Sequence, residues 1–564
     1  MNTRIILWLS LLSTTFIVSP GLWDATVTGK YFYFASVTGA ASLFSAYYLL
    51  RNRMTLHICL TDILVFLFAL WVGVSCIING MRPGMRLWLF ILLVPLYMVI
   101  RISLRDQSMI RPLLGVVLLV VTVEAIWGLL QLYGILKSHN RLVTGSFFNS
   151  GPYSGFLACG IPIALCLFLN GRSKPEKFSG LLCLLVIGLI LPAAMSRAAW
   201  LAAVTGSIPV AGRFLYRYCY RLLATQRFKK AALLAITAIV LSGVLFSLYS
   251  LRKASADGRM LYWRVSAELV REKPLTGHGL GSFPVLYEDA QADFFISGKG
   301  NEKQKRLAGN GPEYAFNEYV QITVEHGITG LVLFLGMIFS SLGFRSAGEP
   351  EESAVRGSLT TFLVFAFFSY PFSVLPLTIM FVILIAMSAS YARPVRQVSG
   401  LVVGVLCLGL SGYASVEILS RYPAYREWKT AQVSYDTGYW EQAVEKYNNL
   451  YAKLNRQPQY LFEYACCLSA MGQYEASNEL LDRYLLFGSD PVIYYCKGNN
   501  YKNKRDFKSA EKMYIRASEI LPGRYQPLKL LMDLYEETGQ NEKAKAIHEF
   551  FESERRKYES IIRR

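Results

Sequence analysis

Residues 113–135 form the apolar block LLGVVLLVVTVEAIWGLLQLYGI, in which Glu124 is the one charged residue. An α-helix needs about 20 apolar residues to cross the hydrocarbon core of a bilayer, and this block is long enough. A spanning segment must also satisfy its own backbone hydrogen bonds, and the block is far too long for a barrel strand. We therefore predict a transmembrane helix here.

Similar blocks recur along the chain, which has 564 residues, 53% of them hydrophobic and only 17% charged. Soluble domains contain roughly 25% charged residues, so the composition indicates a membrane protein. We predict an all-α fold, a polytopic helical membrane protein with about 12–13 transmembrane helices. The first block is expected to be an uncleaved helix, because further spans follow at once. The predicted spans are 4–20, 31–50, 58–78, 86–100, 113–135, 153–170, 179–195, 198–212, 231–250, 323–343, 358–373, 374–391 and 399–418.

The net charge of +19 does not indicate a nucleic-acid partner, because the basic residues lie mostly in short connections between apolar blocks. Basic connections of this kind mark the cytoplasmic side. That rule places the long loop 252–321 and everything after residue 418 on the outward side. Zinc-type Cys/His spacing is absent from the sequence, so we expect no zinc site. Six cysteines in apolar segments are predicted to be small core residues, at Cys59, Cys76, Cys159, Cys166, Cys183 and Cys407.

From about residue 425 the chain becomes polar and a repeat appears. Alanines recur at spacings of 33, 34 and 34 residues, at Ala443, Ala476, Ala510 and Ala544. This period resembles the tetratricopeptide repeat, in which small residues allow close helix packing. Prolines stand near the expected breaks between units, at Pro458, Pro491 and Pro522. We predict an α-solenoid of such repeats with a surface for a protein partner and no catalytic role. An unrelated helical bundle is the alternative.

Arg197 is the first candidate for chemistry. It lies in Met195-Ser-Arg-Ala-Ala-Trp200, at the outward end of two apolar segments and against the positive-inside bias. The planar guanidinium binds phosphate oxygens with two hydrogen bonds, so we predict anion binding. An arginine that only extends its charge to the membrane surface is the alternative.

Further candidates lie in the loop 252–321. Arg259 and Arg264 belong to an amphipathic run; one would bind ligand and the other secure the loop, and the sequence leaves open which. His278 lies in Gly277-His-Gly-Leu-Gly281, which has no preceding strand and so is not expected to be a nucleotide site. The glycines predict tight turns with positive φ. His278 is a candidate acid or base, with a structural imidazole as the alternative.

Polar residues also stand where two apolar blocks begin. Asn317 and Glu318 precede a span, and polar groups entering an apolar span are costly and tend to be functional. We predict that Asn317, Glu318 and Gln321 share one helical face directed at a water-filled cavity, with Asn317 as a candidate substrate ligand. Glu318 is the best candidate for a general base, with a helix N-cap and dipole partner as the alternative. Asn149 and Tyr153 are candidates for sugar contacts by hydrogen bonding and stacking, although the start of a helix after a loop explains them nearly as well.

Four segments in order resemble one family. They are Gly145 to Phe156, Met195 to Trp200, Gly258 to Phe283, and Phe316 to Gly330. Together they resemble the O-antigen ligase and O-antigen polymerase superfamily of bacterial envelope glycosyltransferases, over roughly residues 140 to 340. A tetratricopeptide tail also recurs in such proteins.

The resemblance implies a glycosyltransferase in the bacterial inner membrane that needs no metal, no nucleotide and no other cofactor. The enzyme would transfer a glycan from a polyprenyl (undecaprenyl) diphosphate carrier to lipid A-core or a protein hydroxyl on the periplasmic face. Arg197 and Arg259 would hold the diphosphate, and fixed cations stabilise the charge on such a leaving group. The domains would be a membrane glycosyltransferase over 1–420, with a catalytic loop at 252–321, and periplasmic repeats over 421–564.

One residue departs from the family pattern. Phe316 stands where the family has a histidine that would act as base. Either Glu318 or His278 replaces that base, or the base is dispensable in this branch, or the chain is an inactive or differently specialised homologue. A polymerase of the same superfamily is the nearest alternative function. A transporter of lipid-linked sugar would need polar residues deep in the spans, for which Asp62 and Glu124 are the acidic candidates. A non-catalytic envelope scaffold is a further alternative.

Overall fold

The computed structural model describes the chain in six stretches, which are 3–81, 84–137, 142–223, 253–309, 312–343 and 349–562; side chains are not described at 213–223, 253–255 and 554–562. The predicted span 231–250 lies outside the described residues. The chain divides into two compact units. Unit one comprises Met1–Arg252, Pro274–Leu280 and Tyr314–Pro423, and unit two comprises Lys253–Lys273, Gly281–Glu313 and Ala424–Arg564.

The described residues of unit one form α-helices and one small antiparallel ribbon. Its helices are α1 (Thr3–Leu12), α2 (Thr28–Arg51), α3 (Leu60–Ile78), α4 (Met85–Ser103), α5 (Ile110–Leu132), α6 (Ser150–Asn170), α7 (Lys174–Ala193), α8 (Arg197–Leu223), α12 (Glu318–Leu342), α13 (Pro350–Phe368), α14 (Leu375–Ala389) and α15 (Gly400–Leu419). Strands β1 (Thr55–Ile58) and β2 (Arg396–Ser399) pair antiparallel, with Leu56 opposite Val398. The ribbon therefore joins the start of α3 to the start of α15.

Each predicted span within the described ranges overlaps a helix, which confirms the polytopic helical fold. Within those ranges, seven helices are long and apolar enough to cross a membrane by length and composition: Leu60–Ile78, Met85–Ser103, Gln107–Leu132, Ser150–Asn170, Lys174–Ala193, Glu318–Leu342 and Gly400–Asp436. Two shorter apolar helical stretches are Thr3–Phe16 and Leu375–Ala389. The crossings assigned to the other helices stay predictions.

The core of unit one lies around α13 and α14. Helix α13 packs against α6, α8, α12 and α14. Every residue of α14 is buried. A helix that is apolar on all sides must be covered on all sides, and here other helices cover it. Large apolar side chains that face outward, such as Leu70, Leu185 and Val405, lie instead on α3, α7 and α15, as expected of surfaces that meet lipid.

Unit two contains three helices of the long loop and a set of helix pairs. The loop helices are α9 (Lys253–Glu272), α10 (Phe283–Ile296) and α11 (Glu302–Leu307). The pairs are α16 (Tyr422–Asp436) with α17 (Trp440–Leu454), α18 (Pro458–Ala470) with α19 (Tyr474–Tyr484), α20 (Pro491–Asn503) with α21 (Phe507–Ile520), and α22 (Tyr525–Glu537) with α23 (Asn541–Ile562). This order confirms the predicted solenoid, since each unit of the repeat is a pair of helices.

The turn inside each pair needs a left-handed residue. Gly438, Gly472 and Gly539 supply it with φ of 78°, 76° and 72°. Arg505 takes the same position in the third pair, with φ of 62°. Left-handed backbone is costly for a residue with a side chain, so the third turn carries strain that the others avoid.

The division into units differs from the predicted domains in one respect. The prediction assigned the whole loop 252–321 to the membrane domain. In the structure, residues 253–273 and 281–313 cluster with the repeats, and residues 274–280 belong to unit one.

Candidate active site at one end of unit one

The register of α8 against α13 brings Arg197 to one end of unit one. A Cβ added to Gly206 would meet Thr361, and a Cβ added to Gly357 would lie 3.4 Å from Val210. Higher residue numbers on α8 meet lower residue numbers on α13, so the two helices run antiparallel. Extending that register from Gly206 back to Arg197, about 14 Å along the helix at ~1.5 Å per residue, reaches the level of the end of α13. Arg197, the first residue of α8, and the end of α13 therefore lie at the same end of unit one.

The first turn of α12 lies at the same end. Glu318 is only 3% exposed, and its Oε1 accepts a hydrogen bond of 2.6 Å from the backbone N–H of Phe372, just after α13. Asn317 caps the helix, because its side-chain oxygen accepts from the N–H groups of Tyr319 and Val320 at 3.0 and 3.2 Å. The capping role considered for Glu318 thus belongs to Asn317. Glu318 instead connects α12 to the turn after α13.

A second pair of polar residues continues inward from Glu318. The side chain of Gln321 accepts a hydrogen bond from Ala315 N–H at 3.2 Å and donates one of 3.2 Å to Glu325. Gln321 and Glu325 are both buried. The polar face predicted from Asn317 to Gln321 therefore exists, and its side chains bind one another and the backbone.

Helix α12 is interrupted at Gly327, where the loop segment 274–280 pairs with it. Gly327 has φ of 69° and ψ of −177°, which is not helical. The break leaves carbonyl groups available, and His278 N–H donates to Val324 O at 3.0 Å while Gly279 N–H donates to Glu325 O at 2.7 Å. In return, Ile328 N–H donates to Pro274 O at 2.8 Å. The loop segment thereby replaces the helical bonds that the break removes.

The glycines of this segment behave as predicted. Gly277, Gly279 and Gly281 have φ of 63°, 96° and 78°. A Cβ on Gly277 would lie 2.5 Å from the Glu325 carbonyl, so the close approach to α12 also requires glycine. His278, between them, is buried at 8% exposure and bound through its backbone to α12.

Three aromatic side chains cluster beside Glu318. Tyr314 stacks on Tyr370, with 4.1 Å between ring centroids and 7° between planes. Phe316 meets Tyr370 edge to face at 5.3 Å. Phe316 also has φ of 52°, and non-glycine residues in this conformation concentrate at functional sites. Tyr314 and Tyr370 were not among the predicted site residues, because nothing in the sequence shows that positions 56 residues apart meet.

The two sugar-binding candidates at the start of α6 lie in different environments. Asn149 is exposed and caps α6, since its side chain accepts from Gly151 N–H at 2.9 Å. Tyr153 is fully buried, and its hydroxyl donates to the Glu124 backbone carbonyl at 3.1 Å. A ring enclosed in this way has no face for a sugar. The predicted stacking role of Tyr153 is therefore corrected to a core position between α5 and α6.

The two acidic residues considered for transport have structural partners. Asp62 binds Arg101 at 2.8 Å and accepts from the Tyr97 hydroxyl at 2.6 Å. Glu124 accepts from the Ser146 hydroxyl at 2.6 Å. The first contacts join α3 to α4, the second joins α5 to the segment before α6, and neither favours a transporter. Within the described part of the chain, no three His, Cys, Asp or Glu side chains are grouped as metal ligands.

Arg259 and Arg264 lie in unit two, on α9. The buried stripe Leu261, Val265 and Leu269 confirms the predicted amphipathic helix. Arg259 is half-buried and Arg264 is exposed. Arg197 belongs to unit one, so the two arginines that the resemblance assigns to the diphosphate are held by different units.

Comparison with known proteins bears directly on this site. A family model described as O-Antigen ligase matches residues 181–335, a range that includes Arg197, α9, the 274–280 segment and the interrupted part of α12. The chain contains an O-antigen ligase domain. A second family model, for YpiA-like C-terminal tetratricopeptide repeats, matches residues 423–488. The O-antigen ligase domain is thus followed by repeats.

Individual proteins are more distant. A protein of Rickettsia conorii (strain ATCC VR-613 / Malish 7) described as a "Putative polysaccharide ligase" is 26% identical over 182 residues. The match covers 32% of this chain and 42% of that protein, so the chain spans less than half of its length. Among solved structures, the APC/C hetero-tetramer Cut9–Hcn1 is 12% identical, with 90% of each chain covered and a TM-score of 0.19. The O-antigen ligase domain supports a ligase-like enzyme in a multi-pass membrane protein.

Proposed function

We propose that this protein transfers a glycan from a polyprenyl (undecaprenyl) diphosphate carrier to a hydroxyl of lipid A-core or protein, at the periplasmic face of the bacterial inner membrane. One observation carries the proposal: the register of α8 and α13 sets Arg197 at the end of unit one where Glu318 begins α12. A cation for the leaving group and a carboxylate for the acceptor are the two charges that this reaction needs.

The reaction exchanges one bond for another. The bond between the anomeric carbon of the glycan and the carrier phosphate oxygen breaks, and the acceptor oxygen bonds to that carbon. The acceptor proton passes to a base, and the carrier leaves as the diphosphate. Because negative charge grows on the leaving oxygen, donors aimed at it lower the barrier. Arg197 suits this role because its guanidinium can donate two hydrogen bonds to phosphate oxygens. Its position at the start of a helix adds partial positive charge.

We assign the base to Glu318, with His278 as the second candidate. The N–H of Phe372 holds one oxygen of the Glu318 carboxylate, which fixes the orientation of the group. Phe316 occupies the place of the family histidine and has no atom that accepts a proton. In the proposal, the aromatic side chains of Phe316, Tyr314 and Tyr370 offer an apolar surface to a sugar ring. Asn149 offers a hydrogen bond to the sugar. The substrate-binding roles predicted for Arg259, Arg264 and Asn317 are kept.

The test is transfer by the purified full chain in nanodiscs, with a polyprenyl-diphosphate glycan and candidate acceptors. We expect Arg197→Ala to lower kcat/KM about 100-fold, the usual effect of removing one donor to a developing charge. Arg51→Ala is the matched control, because Arg51 lies at the far end of α2 and contacts Tyr47 of the same helix. Equal transfer by Arg197→Ala and wild type would refute the assignment.

The base is tested separately. We expect Glu318→Gln to lower kcat by two orders of magnitude or more while carrier binding persists, because the amide keeps the shape but cannot take the proton. His278→Ala should retain most of the rate. The reverse pattern would transfer the role to His278. Labelling of a tag at the C-terminus from outside intact inner membranes tests the orientation.

A further inference from the structure

The repeats of unit two contact a helix of the long loop. Gln291 of α10 donates a buried hydrogen bond of 2.8 Å to the backbone carbonyl of Ile520, at the end of α21. Its neighbour Ala292 forms an apolar cluster with Ile520 and Leu521. These contacts join positions that are 229 residues apart in sequence.

Two consecutive acidic residues of α10 strengthen the contact. Glu288 is fully buried, and its Oε2 accepts a hydrogen bond of 2.6 Å from the hydroxyl of Ser489. Asp289 forms an ion pair of 2.5 Å with Arg516 of α21. A buried carboxylate is costly unless it is hydrogen-bonded, so the hydrogen bond from Ser489 of the repeats offsets part of the cost of burying Glu288.

A second contact lies at the next turn of the solenoid. Arg524 Nε donates to the Ala308 carbonyl at 3.2 Å, just after α11. A Cβ on Gly523 would lie 2.6 Å from the backbone carbonyl oxygen of Lys305. Position 523 therefore requires glycine, because the backbone of the loop approaches it closely. The break between the repeats is thus also part of a contact surface.

The loop helices in turn hold α9. Tyr262 of α9 packs edge to face on Tyr287 of α10 at 5.5 Å. Asp257 of α9 binds Lys303 of α11 at 2.6 Å. Contacts thus run without interruption from the repeats, through α10 and α11, to the helix that carries Arg259 and Arg264.

We propose that the third and fourth repeats form an intramolecular docking surface, built from Ser489, Arg516, Ile520, Gly523 and Arg524, whose occupant is the chain's own loop. The repeats then act as a positioning device for α9. Ordering a long loop costs conformational entropy, and a rigid surface that binds the ordered form offsets that cost. Only the effect on catalysis rests on the proposed function; the docking itself does not.

The test follows hydrogen exchange of α10 by mass spectrometry, in the full chain in nanodiscs. Asp289→Arg and Arg516→Asp should each speed the exchange of 283–296 about threefold, and the double variant should restore slow exchange. Gly523→Ala should speed it about tenfold, because the added methyl group overlaps the loop backbone. Lys543→Glu is the matched control, since the ion pair of Lys543 with Glu511 lies within the repeats.

Transfer activity is measured on the same samples. The positioning role predicts that kcat/KM falls with each single change and returns in the charge-swapped double variant. Exchange of α10 that stays slow in both single variants and in Gly523→Ala would overturn the docking surface. If exchange follows the expected pattern and the wild type transfers no glycan, the docking stands and the proposed function fails.

Discussion

Replacing Gly327 by alanine tests the interruption of α12, on which the geometry of the site depends. The backbone of Gly327 lies in a region that only glycine adopts readily, which costs about 1–3 kcal/mol for alanine. The new Cβ would also overlap the Leu275 carbonyl and lie 2.8 Å from Gly277 N, and such overpacking costs about 1–3 kcal/mol more. The substitution also stabilises the folded state by about 0.5–1 kcal/mol, because alanine lowers the conformational entropy of the unfolded chain. The net loss is about 3 kcal/mol.

The assay is thermal unfolding of the purified protein in nanodiscs, followed by glycan transfer below the transition. We expect a lower apparent Tm and slower transfer, since the loop segment 274–280 loses its partner. Gly336→Ala is the control in the same helix, because its Cβ would lie 3.7 Å from Leu64, an ordinary contact, and alanine favours the helix by about 1 kcal/mol. If Gly327→Ala is as stable as Gly336→Ala, the reasoning about the break is wrong.

Three further predictions concern the repeats. Arg505→Gly should stabilise unit two by about 0.5–1 kcal/mol, because glycine removes the left-handed strain, and an unchanged or lower Tm would contradict this. Glu463→Ala should destabilise it by about 3 kcal/mol, measured by denaturant unfolding, because two buried ring donors lose their acceptor; a change below about 1 kcal/mol would count against it. The hydrogen bond from Cys496 lowers the pKa of Cys466, whereas burial raises the pKa of Cys467 to about 12. As pH rises, Cys466 should therefore be alkylated before Cys467 in a pH series read by mass spectrometry, and the opposite order would refute the hydrogen bond.

The helices and the repeats could be predicted because their signals are local. An apolar block such as 113–135 specifies a helix by its own length, and the alanine period specifies paired helices by its spacing. The same holds for the glycines at 277, 279 and 281, whose turns need positive φ. Arg505 shows the limit of such signals, because the fold imposes a left-handed turn at a position where the sequence has no glycine.

The parts of the site that escaped prediction depend on distant partners. Tyr153 follows a turn-rich segment and looked accessible, but its ring lies between helices whose packing no local pattern reveals. Tyr370 joins the aromatic cluster only because the end of α13 meets the start of α12. Contacts between residues far apart in sequence are fixed by the whole fold, and a single sequence carries no direct record of them.

The way the loop is shared between the units has a practical consequence for engineering. The chain passes from one unit to the other five times, after residues 252, 273, 280, 313 and 423. A cut at the last passage would therefore strip α10 and α11 of the surface that covers Ala292 and Glu288. Repeats taken from a related enzyme therefore cannot replace the repeats of this chain. Any chimera has to carry the loop and the solenoid together.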